Sequence, residues 1–105
     1  MTDKIIVFSA CASAEEAQKL ARQLVEKRVA ACATIIPGAL SIYHWKGKIE
    51  ESPEWLLMIK TRRDLFDALK IELQGMHSYQ VPEIVAVPVV AGLESYLTWM
   101  DRELG

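Results

Sequence analysis

The stretch Ala31-Cys32-Ala33-Thr34-Ile35-Ile36-Pro37-Gly38-Ala39-Leu40-Ser41-Ile42-Tyr43-His44-Trp45-Lys46-Gly47 decides the architecture. Its β-branched and aromatic residues suit one long strand, and Pro37-Gly38 bends that strand without ending it, since the apolar run resumes at once. Lys46-Gly47 reads as a tight turn, with glycine supplying the positive φ that a hairpin needs. The return strand starts near Lys48, is disturbed at Ser52-Pro53, and resumes as Trp55-Leu56-Leu57-Met58-Ile59-Lys60. A long hairpin is therefore the centre of the chain.

Toward the N-terminus, Ile5-Ile6-Val7-Phe8 lies within Lys4–Ala10 and suits a strand covered on both faces. Ser13-Ala14-Glu15-Glu16 is an S-x-x-E capping box, after which Ala17, Leu20, Ala21, Leu24 and Val25 recur at helical spacing. Beyond the hairpin, Thr61 is placed to cap a second helix, with Leu65, Leu69, Leu73 and Met76 as its inner stripe and Gly75 near its end. A loop from His77 to Pro82 leads to a strand over Glu83 to Val90, in which Pro88 points to a sheet edge. A last helix carries Leu93, Tyr96, Leu97, Met100 and Leu104 on one side.

Two β-α-β halves joined through the hairpin predict an α+β fold, the ferredoxin-like split β-α-β sandwich, with an extra C-terminal helix. At 105 residues the chain is a single domain, 1–105. The hairpin strands outrun the others, so Tyr43, Trp45 and Trp55 overhang within reach of solvent. Free aromatic edges invite aggregation, and closing them against further copies predicts a homo-oligomer.

Composition narrows the function. Half of the chain (51%) is apolar and a quarter (25%) is charged, as in folded globular proteins. A net charge of −2 offers phosphate backbones no attraction, so no nucleic acid is expected. No apolar run reaches the roughly 18–20 residues of a membrane span, and Met1-Thr2-Asp3-Lys4 lacks the features of a secretory signal. A cytoplasmic location is the expectation, with Cys11 and Cys32 both reduced. No nucleophile elbow, phosphate loop or dinucleotide fingerprint is present, so no catalytic residues are assigned and an enzyme is not expected.

Four stretches in register carry a family resemblance: Ala30-Ala31-Cys32-Ala33-Thr34-Ile35-Ile36-Pro37-Gly38, Tyr43-x-Trp45-x-Gly47-x-Ile49-Glu50, Ile59-Lys60-Thr61 and Tyr79-Gln80-Val81-Pro82-Glu83-Ile84. Over essentially its whole length the chain resembles the CutA family of divalent-cation tolerance proteins. The resemblance implies a cytoplasmic homotrimer of ferredoxin-like subunits, linked to tolerance of copper and other divalent ions and without catalytic activity. It also implies a likeness to PII signalling trimers, hence an alternative role as a sensor of a small anionic ligand in clefts between subunits.

Similar proteins are thought to use a cysteine late in the first strand and a His-His pair before the Tyr-x-x-Pro-Glu segment for copper. Carried over, these positions hold Ser9, with Cys11 two residues on, and Met76-His77. Cys11, Met76 and His77 are thus the candidate metal set, since Cu(I) favours soft ligands. The alternative is that Met76 fills core space and His77 caps carbonyls at a helix end. Tyr43, Trp45, Lys60, Tyr79 and Glu83 form a second constellation, expected at a cleft between subunits, in which Lys60 would meet an anionic ligand. Its alternative is interface packing that serves assembly alone.

Overall fold

A computed structural model describes residues 1–105. Strand β1 spans Lys4–Cys11 and helix α1 spans Ala14–Glu26. The hairpin consists of β2, Cys32–Trp45, and β3, Lys48–Arg62. One 3-10 turn, Arg63–Leu65, leads into α2, Phe66–Met76, followed by β4, Val85–Pro88, and α3, Glu94–Glu103. The four strands form one antiparallel sheet in the order β2-β3-β1-β4. Mixed α+β architecture is as the sequence predicts.

Period two along β1 and β3 divides the sheet into two faces. Ile5, Val7 and Cys11 point with Leu57 and Ile59 into the main core, where Leu20 and Leu24 of α1 meet Leu69 and Leu73 of α2. The intervening Lys4, Lys60 and Arg62 turn to the second face, where α3 meets them. Lys4 and Arg62 both pair with Asp101, and the Lys60 ammonium lies 5.8 Å from the centre of the Tyr96 ring. Met100 of α3 and Leu104, which caps its C-terminal end, pack with Ala31 in a small second core.

Several local expectations hold. Ser13 is the N-cap of α1, its Oγ accepting from the Glu16 N–H. Pro88 ends β4, an edge strand. Lys46 and Gly47 have φ of 52° and 81°, the paired positive values of a two-residue hairpin turn. The bend at Pro37-Gly38 is a bulge: Ile36 pairs with Leu56 and Ala39 with Glu54, so two residues oppose Trp55 alone.

Other readings need correction. Thr61 caps nothing; it lies inside β3, fully buried, and its hydroxyl donates to the Val29 carbonyl at 2.7 Å. A β-branched residue in step with Leu57 and Ile59 continues the strand, and α2 starts with no side-chain cap. Ser52-Pro53 does not disturb β3, since both residues stay in register with Ser41 and Leu40. The last strand is shorter than Glu83–Val90, and the first extends to Cys11.

The hairpin gives the subunit its shape. β1 pairs with β3 only from Trp55 to Arg62, so the hairpin beyond that point is a two-stranded ribbon. The molecule measures 45 × 25 × 23 Å. Its radius of gyration is 14.2 Å, against about 13 Å for a compact chain of this length. Leu40, Ile42 and Ile49 on the ribbon are exposed.

Candidate functional site

Where the ribbon leaves the sheet, the loop after α2 folds back beside it. Between them is an open cleft of about 770 Å³, lined among others by Tyr43, Trp45, Glu54, Tyr79, Gln80 and Glu83. Four of the five residues of the second constellation therefore meet here within one chain.

Lys60 is the exception. It sits toward the far end of β3 from Glu54, about 20 Å along an extended strand, and its ammonium is engaged with Tyr96. Without it, the charged lining residues are Glu54 and Glu83. Within one subunit no lining residue offers an anionic ligand a counter-charge, and the Lys46 ammonium stands 6.0 Å from the centre of the Trp45 ring.

Glu54 is the residue that sequence reading missed. It is 6% exposed, and one carboxylate oxygen accepts from the Tyr79 hydroxyl at 2.7 Å. Burial, that hydrogen bond and the nearby charges of Glu54 and Glu16 push the Tyr79 phenol upward, so it is a firm donor. An acidic residue directly before the apolar run Trp55–Ile59 was the available signal, since a carboxylate in such a strand needs a partner.

A network of hydrogen bonds holds the loop. Glu16 accepts from the Ser78 N–H at 2.8 Å and from the Ala12 N–H at 3.4 Å, tying the loop to the start of α1. Burial alone would raise the Glu16 carboxyl; the bonds from Ser78 and Ala12, with His77 nearby, outweigh it and hold the group below its ordinary range. His77 completes the anchor. Its Nε2 donates to the Ala10 carbonyl at 2.8 Å and its Nδ1 accepts from the Tyr79 N–H at 3.1 Å. That pattern is the tautomer with the proton on Nε2.

These bonds bear directly on the copper set. His77 stands against the end of β1, beside Cys11, and Met76 packs on the core that contains Cys11. Proximity is thus as the resemblance implies, but the donor atoms do not fit a metal. Both imidazole nitrogens are committed to backbone groups. Cys11 is fully buried, and burial, then the charges of Glu16 and Glu54, push its thiol up to about 12. Ser9, also fully buried, has a hydroxyl without a partner, yet it projects into the apolar core face. No group of three or more His, Cys, Asp or Glu side chains is arranged to hold an ion.

Comparison with known proteins supplies the family. The family described as CutA1 divalent ion tolerance protein matches residues 5–103. The "Divalent-cation tolerance protein CutA" of Thermus thermophilus is 43% identical over 100 residues, covering 95% of this chain and 97% of that one. "Protein CutA, chloroplastic" of Arabidopsis thaliana is 40% identical over 98 residues, 93% of this chain but 54% of the plant protein, so the chain spans about half of that relative's length. Among solved structures, CutA from Xylella fastidiosa superposes with a TM-score of 0.96 at 42% identity, covering 99% of this chain and all of that one. The four stretches picked out in the sequence, the antiparallel sheet with its long hairpin and these matches agree: the chain belongs to the CutA family of divalent ion tolerance proteins.

Proposed function

We propose that the protein is a homotrimer of ferredoxin-like subunits that contributes to divalent-metal tolerance without catalysis, in a reducing, cytoplasmic setting. The observation that carries this reading is the ribbon. A two-stranded hairpin with exposed Leu40, Ile42 and Ile49 is marginal in water on its own and needs a cover. β2 and β4 are two different free edges of one sheet, with Val85 and Val87 exposed on β4. Joining unlike edges head to tail closes a ring, and three copies are what the resemblance implies. Family membership supports the role in metal tolerance.

Copper binding through Cys11, Met76 and His77 is not part of the proposal, because those donors are already committed. The PII-like alternative, with an anionic ligand in clefts between subunits, would take its cation from the assembled trimer, since the lining residues of one subunit supply none. Both cysteines are free thiols, consistent with the reducing setting.

Native mass spectrometry during a titration with divalent copper and zinc tests the proposal. The expected species is a trimer, reduced to monomer by the pair Ile42→Lys and Ile49→Lys. A monomeric wild-type protein overturns the assembly. A strain lacking the protein should lose growth in excess divalent metal and regain it with the wild type; unchanged growth without the protein overturns the tolerance role.

A further inference from the structure

We propose that the cleft between the ribbon and the loop after α2 binds a small organic cation, an alkylammonium or guanidinium group, through Glu54 and the rings of Tyr43, Trp45 and Tyr79. Three independent features meet there. The first is an unbalanced buried charge. Glu54 is 6% exposed, yet no lysine, arginine or histidine forms an ion pair with it. Tyr79 occupies Oε2, and Oε1 has no protein partner. Oε1 is therefore open to the cleft, where a cation can reach it; Ser9 Oγ is the only side-chain polar atom buried without a partner.

The second feature is aromatic. Tyr43, Trp45 and Tyr79 line the same cleft, and ring faces attract cations most strongly where water is excluded. Lys46 already places its ammonium 6.0 Å from the centre of the Trp45 ring, which shows the geometry on the chain itself. Third, the only charged side chains that line the cleft within one subunit are Glu54 and Glu83, and Lys46 reaches it only over the ring of Trp45. A volume of about 770 Å³ is in the size class of small-molecule sites.

The same features select the class of cation. A bare divalent ion wants six or more oxygen donors or a cluster of His and Cys, and no such group is assembled. An ammonium or guanidinium needs one carboxylate for its N–H groups and rings for its alkyl or planar part. Glu54 and the three aromatics supply both.

The test is a nuclear magnetic resonance titration of the assembled protein with n-butylammonium chloride, read at the Trp45 indole and the Tyr79 amide. Sodium chloride at equal ionic strength and sodium butyrate are the controls. A saturable shift with n-butylammonium alone is expected, weakened about tenfold or more by Glu54→Gln and by Trp45→Ala. Because Glu54 is buried, Glu83→Gln provides a second variant at the cleft mouth, expected to weaken binding less. A wild type that shows no saturable shift overturns the proposal. A shift that survives Glu54→Gln and Trp45→Ala unchanged, or that butyrate reproduces, overturns it as well.

Discussion

On a single strand, β3, Ile59 is fully buried under the two helices while Ile49 is 67% exposed. Residue type does not distinguish them. What differs is cover: from Trp55 onward β3 has β1 on one side and α1 and α2 above it, whereas before that point it pairs with β2 alone. The helix-covered half is complete within one chain, and the ribbon is apolar in expectation of another. Hydrophobic pattern thus records that a surface is covered, without saying by what.

That contrast predicts opposite behaviour on substitution. Leu57→Ala, in the closed core, should cost about 2–5 kcal/mol of unfolding free energy, through lost burial and the cavity left behind. Ile49→Lys should change the stability of the dissociated subunit by no more than about 0.5 kcal/mol, while abolishing assembly. Chemical denaturation of dilute protein and sedimentation at higher concentration separate the two readouts. A loss for Ile49→Lys comparable to that of Leu57→Ala would mean that the ribbon is supported from within its own subunit.

The glycines sharpen the comparison at smaller scale. Gly38 forms the bulge where the ribbon begins, with φ of 84°, and an added Cβ there would meet nothing within 4 Å. Gly38→Ala therefore costs only conformational strain, about 1–2 kcal/mol. Gly75 lies within α2, and its added Cβ likewise meets nothing. Gly75→Ala should instead stabilise by about 0.4–1 kcal/mol, by restricting the unfolded chain. Thermal melts of the two variants should move in opposite directions; a melting point raised by Gly38→Ala would show that the bulge imposes no strain.

Much of the fold was legible because it rests on local signals. The Ser13 cap, the Lys46-Gly47 turn, the bulge at Pro37-Gly38 and Pro88 at an edge each follow from the geometry of one or two residues. Thr61 misled because threonine serves both as a helix cap and as a strand residue. Only the Val29 carbonyl, 32 residues away, decides between them. The site was less legible for the same reason. Tyr43, Trp45, Tyr79 and Glu83 were found as unusual residues near strand ends, and they do meet. Lys60 was grouped with them at a cleft between subunits, and within one chain the length of β3 separates it from the other four. Glu54 was missed because its place before the apolar run Trp55–Ile59 signals only that a partner is needed, and that partner, the Tyr79 hydroxyl, lies 25 residues away. His77 was recognised as special, but its two nitrogens serve the backbone of Ala10 and Tyr79.

The loop that forms one wall of the cleft offers the finest test, because its anchor titrates. Glu16 holds the Ser78 and Ala12 N–H groups, and its carboxyl in the folded protein lies below the ordinary value of 4.5. A carboxyl depressed by folding stabilises the fold above its unfolded value, and that contribution is lost as pH falls through the folded value. Acid should therefore weaken the loop anchor below 4.5 while leaving the apolar core unchanged. Asp101, held low by Arg62 and then Lys4, adds its own acid dependence in the same range, at the far end of β3. Comparing the wild type with Glu16→Gln isolates the loop, since Asp101 is common to both. Urea midpoints at about pH 6 and about pH 3.5, either side of the carboxylate range, should differ more for the wild type than for Glu16→Gln. The protection of the Ser78 amide relative to its intrinsic exchange rate should fall in the wild type over the same interval, and that of Ile59 should not. Equal acid dependence in both proteins would mean that the wall of the cleft is held by His77 alone.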